Sequence, residues 1–234
     1  MSDKILHSVL GGMGQRVEHH GEIIVIGLGR FGSALAKTLM TMGFEVLGVD
    51  ASEQRVADMA GELTQVVQVD STSERALRQI GAAEAVTVAV CIGSDIEASV
   101  LTAAALVDLG VPNIWAKAIT APHGRILQRV GAHHVVFPEA EMGNRVAHLV
   151  TGQIVDYVAL DDDFVLAEFY APAPFRGVPL GESSLRAKYR VTVVCVKPEG
   201  GQFTYADKST VLEATDLIVV AGHRNDIERV SKAS

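Results

Sequence analysis

The sequence predicts an α/β fold, a doubly wound parallel sheet, followed by a small α+β domain. Three observations carry that prediction. From residue 23 short β-branched runs alternate with runs of helical period; a glycine turn, GLGRFG at 27–32, joins the first apolar run to the first helical one; and after Pro138 the alternation changes character.

The expected strands lie near 23–27, 45–49, 65–69, 85–91, 113–118 and 134–137. The first helical segment places Phe31, Ala34, Leu35, Leu39 and Met42 on one face, and Gly43 is positioned to end it. Further helical segments follow near 53–60, 73–80, 95–109 and 122–130. Six strands with helical crossovers make a complete Rossmann-like unit over 22–140, because parallel neighbours need long right-handed connections. Residues 141–160 are expected to form a linker helix, with Met142, Val146, Leu149 and Val150 as its apolar face. The second domain, 161–234, opens on the acidic triplet Asp161-Asp162-Asp163, read as a solvated turn rather than a cation site because no ligand-rich loop surrounds it. Its expected elements are strand 164–170, helix 181–189, strand 191–197, a turn at 199–201, strands 202–206 and 216–221, and a closing helix 224–232.

A chain of 234 residues has room for two such modest domains. No apolar stretch reaches the roughly 18 residues that spanning a bilayer requires. Residues 1–21 have too short an apolar segment and no small-residue cleavage site, so they read as a loosely ordered arm rather than a secretory signal. The net charge of -8 divides as 11 basic against 16 acidic residues through position 150 and 9 against 12 afterwards. Neither part carries the basic stripe that nucleic-acid binding needs. Cys91 and Cys195 sit far apart in apolar runs, as buried reduced thiols of a cytoplasmic protein do.

The glycine turn has a physical reading at each position. Gly27 permits the tight turn out of the strand, Gly29 lets a pyrophosphate approach the backbone, and Gly32 lets helix and sheet pack closely. The helix that begins there points free N–H groups and a partial positive charge at phosphates. Asp50 follows Gly32 by 18 residues, where a carboxylate accepts hydrogen bonds from ribose hydroxyls; it repels a 2'-phosphate and so disfavours NADP against NAD or an adenine mononucleotide. Asp70, Ser71 and Thr72 end the third strand where an adenine edge lies, although Ser and Thr ahead of Glu74 also cap a helix well. Ile92 and Gly93, with Ser94 and Asp95, form the other wall of the crevice.

A dehydrogenase needs a proton donor or acceptor beside the hydride centre, and none is evident. His123, His133 and His134 fall on the outer side of the fifth and sixth strand units, where packing is the expected role. No GxxxxGK[ST] loop is present to polarise a γ-phosphate. One rival stays open at this point, an NAD-dependent oxidoreductase with an unrecognised substrate.

The runs IVIGLGRFGSALAKTLMTMGFEVLGVD, VDSTSE at 69–74, VAVCIGSDIEASVLT at 88–102, NIWAKA at 113–118 and FPEAEMG at 137–143 together resemble the RCK (regulator of K+ conductance) proteins of the KtrA/TrkA type. The tail segments SLRAKYRVTVVCVK and DLIVVAGHRNDIERV extend the resemblance to about residue 230. It implies a cytoplasmic, non-enzymatic gating subunit of a bacterial potassium transporter. Such a subunit binds ATP, ADP or NAD, forms a homo-oligomeric ring, typically an octamer, and presses on a membrane-embedded K+-translocating subunit of the KtrB/TrkH kind. The resemblance assigns the nucleotide to Gly27, Gly29, Arg30, Phe31, Gly32, Asp50, Asp70, Ser71, Thr72, Ile92, Gly93 and Lys117, with Arg30 reaching a neighbouring protomer's terminal phosphate. It also implies a divalent cation or Na+ at Glu139, and cyclic di-AMP at Leu185, Arg186, Lys188 and Tyr189 in the small domain.

Overall fold

The computed structural model describes residues 22–150, 154–161 and 163–233; the expected arm at 1–21 and Asp162 of the acidic turn lie outside them. Contacts divide the described residues into one unit that ends at Ala140 and a second that begins at Glu141.

In the first unit, β1 (Ile23–Ile26), β2 (Val46–Asp50), β3 (Gln65–Gln68), β4 (Thr87–Val90), β5 (Ile114–Lys117) and β6 (His134–Val136) form a six-stranded sheet ordered β3-β2-β1-β4-β5-β6. All neighbours in it run parallel. The crossovers are α1 (Arg30–Thr41), α2 (Glu53–Met59), α3 (Glu74–Gln79), α4 (Ile96–Asp108) and α5 (Ala121–Val130). Both sheet faces are covered. Alternate residues of a strand point to opposite faces, so Ile24 and Ile26 pack with Leu77, Leu106 and Leu127, while Val25 packs with Ala36 and Met59. The order reverses between β1 and β4, which opens a crevice at the C-terminal ends of those strands.

The helix α6 (Pro138–Val150) begins three residues before the expected linker and ends well short of 160. Residues Asp156–Ala159 instead form β7, the outer strand of the second sheet, paired with β8 (Phe164–Tyr170). Nothing local in IVDYVAL distinguishes a helix tail from a strand; the partner β8 decides it.

The second sheet is antiparallel, ordered β10-β9-β11-β8-β7, with β9 (Thr192–Lys197), β10 (Thr204–Tyr205) and β11 (Leu217–His223). Its core gathers Val165, Ala167, Phe169, Ile218 and Val220 against Ile227 and Val230 of α8 (Arg224–Ser231). The helix expected over 181–189 is shorter: α7 spans Leu185–Tyr189, because Gly181 N–H donates to Lys208 and Ser184 adopts φ +55° just ahead of it. The strand expected over 202–206 keeps only Thr204 and Tyr205, and β11 extends to His223. Met42, placed on the buried face of the first helix, is 61% exposed at that helix's C-cap.

A buried carboxylate in this unit is held by two exposed arginines. Asp226 is 1% exposed, and its Oδ1 accepts from Arg190, at 2.9 Å, and from Arg229. Arg190 holds the carboxyl below the usual 3.8 despite burial, with help from Arg229. A depressed folded pKa contributes stability above the unfolded value that is lost as pH falls through the folded one. Melting curves from pH 7 to 3 should therefore show Arg190→Gln losing stability at higher pH than the parent; coincident pH profiles would remove the pair from the account.

Candidate functional site

The glycine loop is built as its spacing demands. Gly27 leaves β1 with φ +94°, and a Cβ on it would stand 3.0 Å from the backbone of Cys91 and Ile92. A Cβ on Gly32 would lie 1.9 Å from the carbonyl oxygen of Gly27. Gly29 differs: a Cβ there meets nothing within 4 Å, and the backbone φ of -71° suits any residue. The protein's own packing thus explains two of the three glycines and leaves open space above the third. That space faces the start of α1, which has no side-chain cap and no acidic residue in its first turn. Helices α3, α4 and α5 are capped by Ser73, Asp95 and Thr120. An uncapped N-terminus beside open space can receive an anion.

Asp50 ends β2, 6% exposed. Its Oδ2 accepts from Leu28 N–H at 2.7 Å and its Oδ1 from Ser52 N–H at 2.8 Å. The carboxylate braces the glycine loop as well as facing the crevice. The Arg55 guanidinium stands 3.3 Å from Oδ2, a neighbour that sequence reasoning missed; an arginine five residues after the strand-end acid was the available signal.

Asp70 accepts from both the N–H and the hydroxyl of Thr72, and these bonds hold its carboxyl below the usual range. Ser71 turns inward, its hydroxyl 2.8 Å from that of Thr102 on α4. Of the three residues expected at the adenine edge, Asp70 and Thr72 are thus occupied with each other, and the Ser71 hydroxyl is committed to the core.

Across the crevice, Lys117 ends β5 with its side chain 10% exposed. Its Nζ donates to Glu139 Oε1 at 2.5 Å and lies 5.7 Å from the centre of the Phe31 ring. A Cβ on Gly93 would come within 3.1 Å of that Nζ, so the glycine makes room for the lysine. Lys117 chiefly, with a smaller contribution from Arg30, holds the Glu139 carboxyl below its ordinary value. Arg30 itself is exposed on the first turn of α1. Ile92, half-buried, walls the loop beside Gly27. The structure thereby brings Arg30, Phe31, Gly93, Lys117 and Glu139 together from four separate segments.

Glu139 does not meet the needs of a cation on its own. It is already paired with Lys117, and among the described residues no group of three or more His, Cys, Asp or Glu side chains gathers to hold a metal. Cys91 and His123 are buried. Burial pushes the Cys91 thiol up to about 12 and lowers the pKa of His123, which is 1% exposed. His134 stacks on Trp115, and His133 accepts from Ile114 N–H.

In the second unit Arg186 lines a cleft of about 500 Å³ with Leu180, Leu185, Thr192, Asp207 and Lys208. Asp207 is turned to its own loop, accepting from Ser209 and Thr210. Leu185 is 4% exposed and forms part of the core floor. Tyr189 packs edge-on to Phe175, with Lys188 over its ring, and neither lines the cleft.

The chain is similar to known proteins along most of its length. Residues 23–138 match the TrkA-N domain and residues 164–233 the TrkA-C domain. Ktr system potassium uptake protein C of Bacillus subtilis is 37% identical over 213 residues, 90% of this chain and 96% of that protein. Ktr system potassium uptake protein A of the same organism is 34% identical over 89% of this chain and 94% of that one. The Vibrio alginolyticus protein of that name is 32% identical over 91% and 97%. Among solved structures, a GsuK channel superposes with a TM-score of 0.64 at 20% identity, covering 93% of this chain and 40% of the larger one. The GsuK RCK domain gives 0.63 at 19%, covering 94% and 49%. This chain therefore spans less than half the length of those structures, and at such identity the likeness is one of fold.

Proposed function

The chain belongs to the KtrA/TrkA type of RCK protein, and from that premise we propose that it is a nucleotide-sensing regulatory subunit of a potassium uptake system. The observation that carries this reading is the open space over Gly29 at the uncapped start of α1, with Asp50 on one side and Arg30 and Lys117 on the other. Backbone N–H groups there receive phosphates, and Asp50 receives a ribose hydroxyl. ATP, ADP and NAD share those features.

Regulation needs a difference in affinity between conformations, since a ligand shifts an equilibrium only by that difference. Arg30, exposed on α1, is suited to a phosphate presented by a second copy of the chain, and a guanidinium binds phosphate oxygens as a planar fork. In this reading the copies form a cytoplasmic ring, octameric in type, held at the membrane by a separate K+-translocating subunit; among the described residues no helix is long and apolar enough to cross a membrane. Any cation at Glu139 would draw its remaining ligands from outside this protomer. Cyclic di-AMP, if bound at a two-fold interface of the small domain, would meet Arg186, which lines the second cleft with Lys208 and is suited to a phosphate.

Purified protein should show thermal stabilisation by ATP, ADP or NAD with no product formed on prolonged incubation; no shift with any of them would defeat the reading. Arg30→Ala should weaken ATP at least tenfold more than ADP by calorimetry. Equal losses would take away the terminal-phosphate role. The same calorimetry with cyclic di-AMP and Arg186→Ala tests the second cleft. The oxidoreductase alternative predicts a steady change in NADH absorbance with a metabolite panel.

A further inference from the structure

The ribose end of the crevice holds a cation as well as an acid. An ionised carboxylate offers about four lone-pair sites. At Asp50 three are taken, by Leu28 N–H, Ser52 N–H and the Arg55 guanidinium, which leaves one acceptor position, on Oδ1. Arg55 is disposed the opposite way. Its side chain is 49% exposed against 6% for Asp50, and of a guanidinium's five N–H donors only one is spent on this carboxylate. Asp50 is thus the inner, braced partner and Arg55 stands on its solvent side.

A lone carboxylate repels a 2'-phosphate; an arginine beside it supplies the countercharge and the fork that binds one. Resting on the nucleotide reading above, we propose that Arg55 makes the ribose subsite accept a 2'-phosphate. Adenine nucleotides that carry one, the class of NADP, are then ligands alongside those that do not. This reverses the discrimination that Asp50 alone implies.

The test is calorimetry on the full chain with NAD and NADP, for the parent, Arg55→Gln and Arg55→Lys. The parent should bind NADP within tenfold of NAD. Arg55→Gln should lose NADP at least tenfold more than NAD, with Arg55→Lys between them, and retained NAD binding shows that each variant is folded. A parent preference for NAD of more than tenfold, or equal losses of both ligands in Arg55→Gln, overturns the proposal. Binding of NAD or ADP in that case leaves the nucleotide reading standing; absence of all binding, ATP and ADP included, sinks both.

Discussion

Gly32→Ala is expected to abolish nucleotide binding and to lower stability by about 3 kcal/mol, the upper part of the range for overpacking. The added methyl would sit 1.9 Å from the Gly27 carbonyl oxygen, and neither atom is the free end of a side chain. Gly27 has little room to retreat, since its N–H donates to Val49 at 2.7 Å and its own conformation requires a positive φ. Relief therefore means moving α1 off the sheet, and its first turn, where the phosphates are proposed to bind, moves with it. Urea unfolding and ATP calorimetry read the two effects separately. Gly29→Ala is the informative contrast: its methyl enters open space, so stability should change by no more than about 0.5 kcal/mol while binding still falls at least tenfold. A Gly29→Ala protein that binds ATP normally would show that the space over Gly29 is not where the ligand lies.

The second large effect is expected at Asp50→Ala. The substitution strands the buried N–H of Leu28 and removes the partner of Ser52 N–H, a loss of about 2 kcal/mol from unsatisfied donors alone. Because Leu28 lies inside the glycine turn, the loop loses its brace and the ribose its acceptor in one change. Asp50→Asn retains a carbonyl oxygen and should recover more than half of the stability. If both variants melt with the parent, the carboxylate does not brace the loop, and its place in the site rests on the ribose alone.

Much of the first unit was legible because its signals are local. Burial on both faces of a parallel sheet produces short, almost wholly apolar runs, and IIVI and VLGVD announce themselves without reference to anything distant. The glycines at 27 and 32 were legible for the same reason: Gly27 turns the chain out of β1 with a positive φ and Gly32 collides with Gly27, both within one strand-turn-helix unit, whereas the contact of Gly27 with Cys91 and Ile92 beyond β4 was not local. The second unit was read less well. There the helix expected over 181–189 shrinks to Leu185–Tyr189 and an unexpected strand appears at Asp156–Ala159, because short elements of a small antiparallel sheet take their state from the neighbour that pairs with them.

The candidate site divides along the same line. Asp50 and the glycines can be placed by counting residues. Lys117 and Glu139 are 22 residues apart and meet because β5 and the start of α6 end at one edge of the crevice, while Gly93, from a third segment, leaves the gap that the lysine fills. Ser71 looked available to a ligand until α4 brought Thr102 to its hydroxyl.

By itself, then, the sequence determined the order of strands and helices along the first unit, the glycine turn, the strand-end acid and the family to which the chain belongs. Only the tertiary structure decided which of those side chains remain open to a ligand, that Asp50 is braced and attended by Arg55, and that Lys117 is engaged by Glu139. The physical reason is one of range. Periodicity and turn chemistry act over a few residues and survive in one dimension, whereas the partner of a charge is set by strand order, which brings together segments that no local pattern relates.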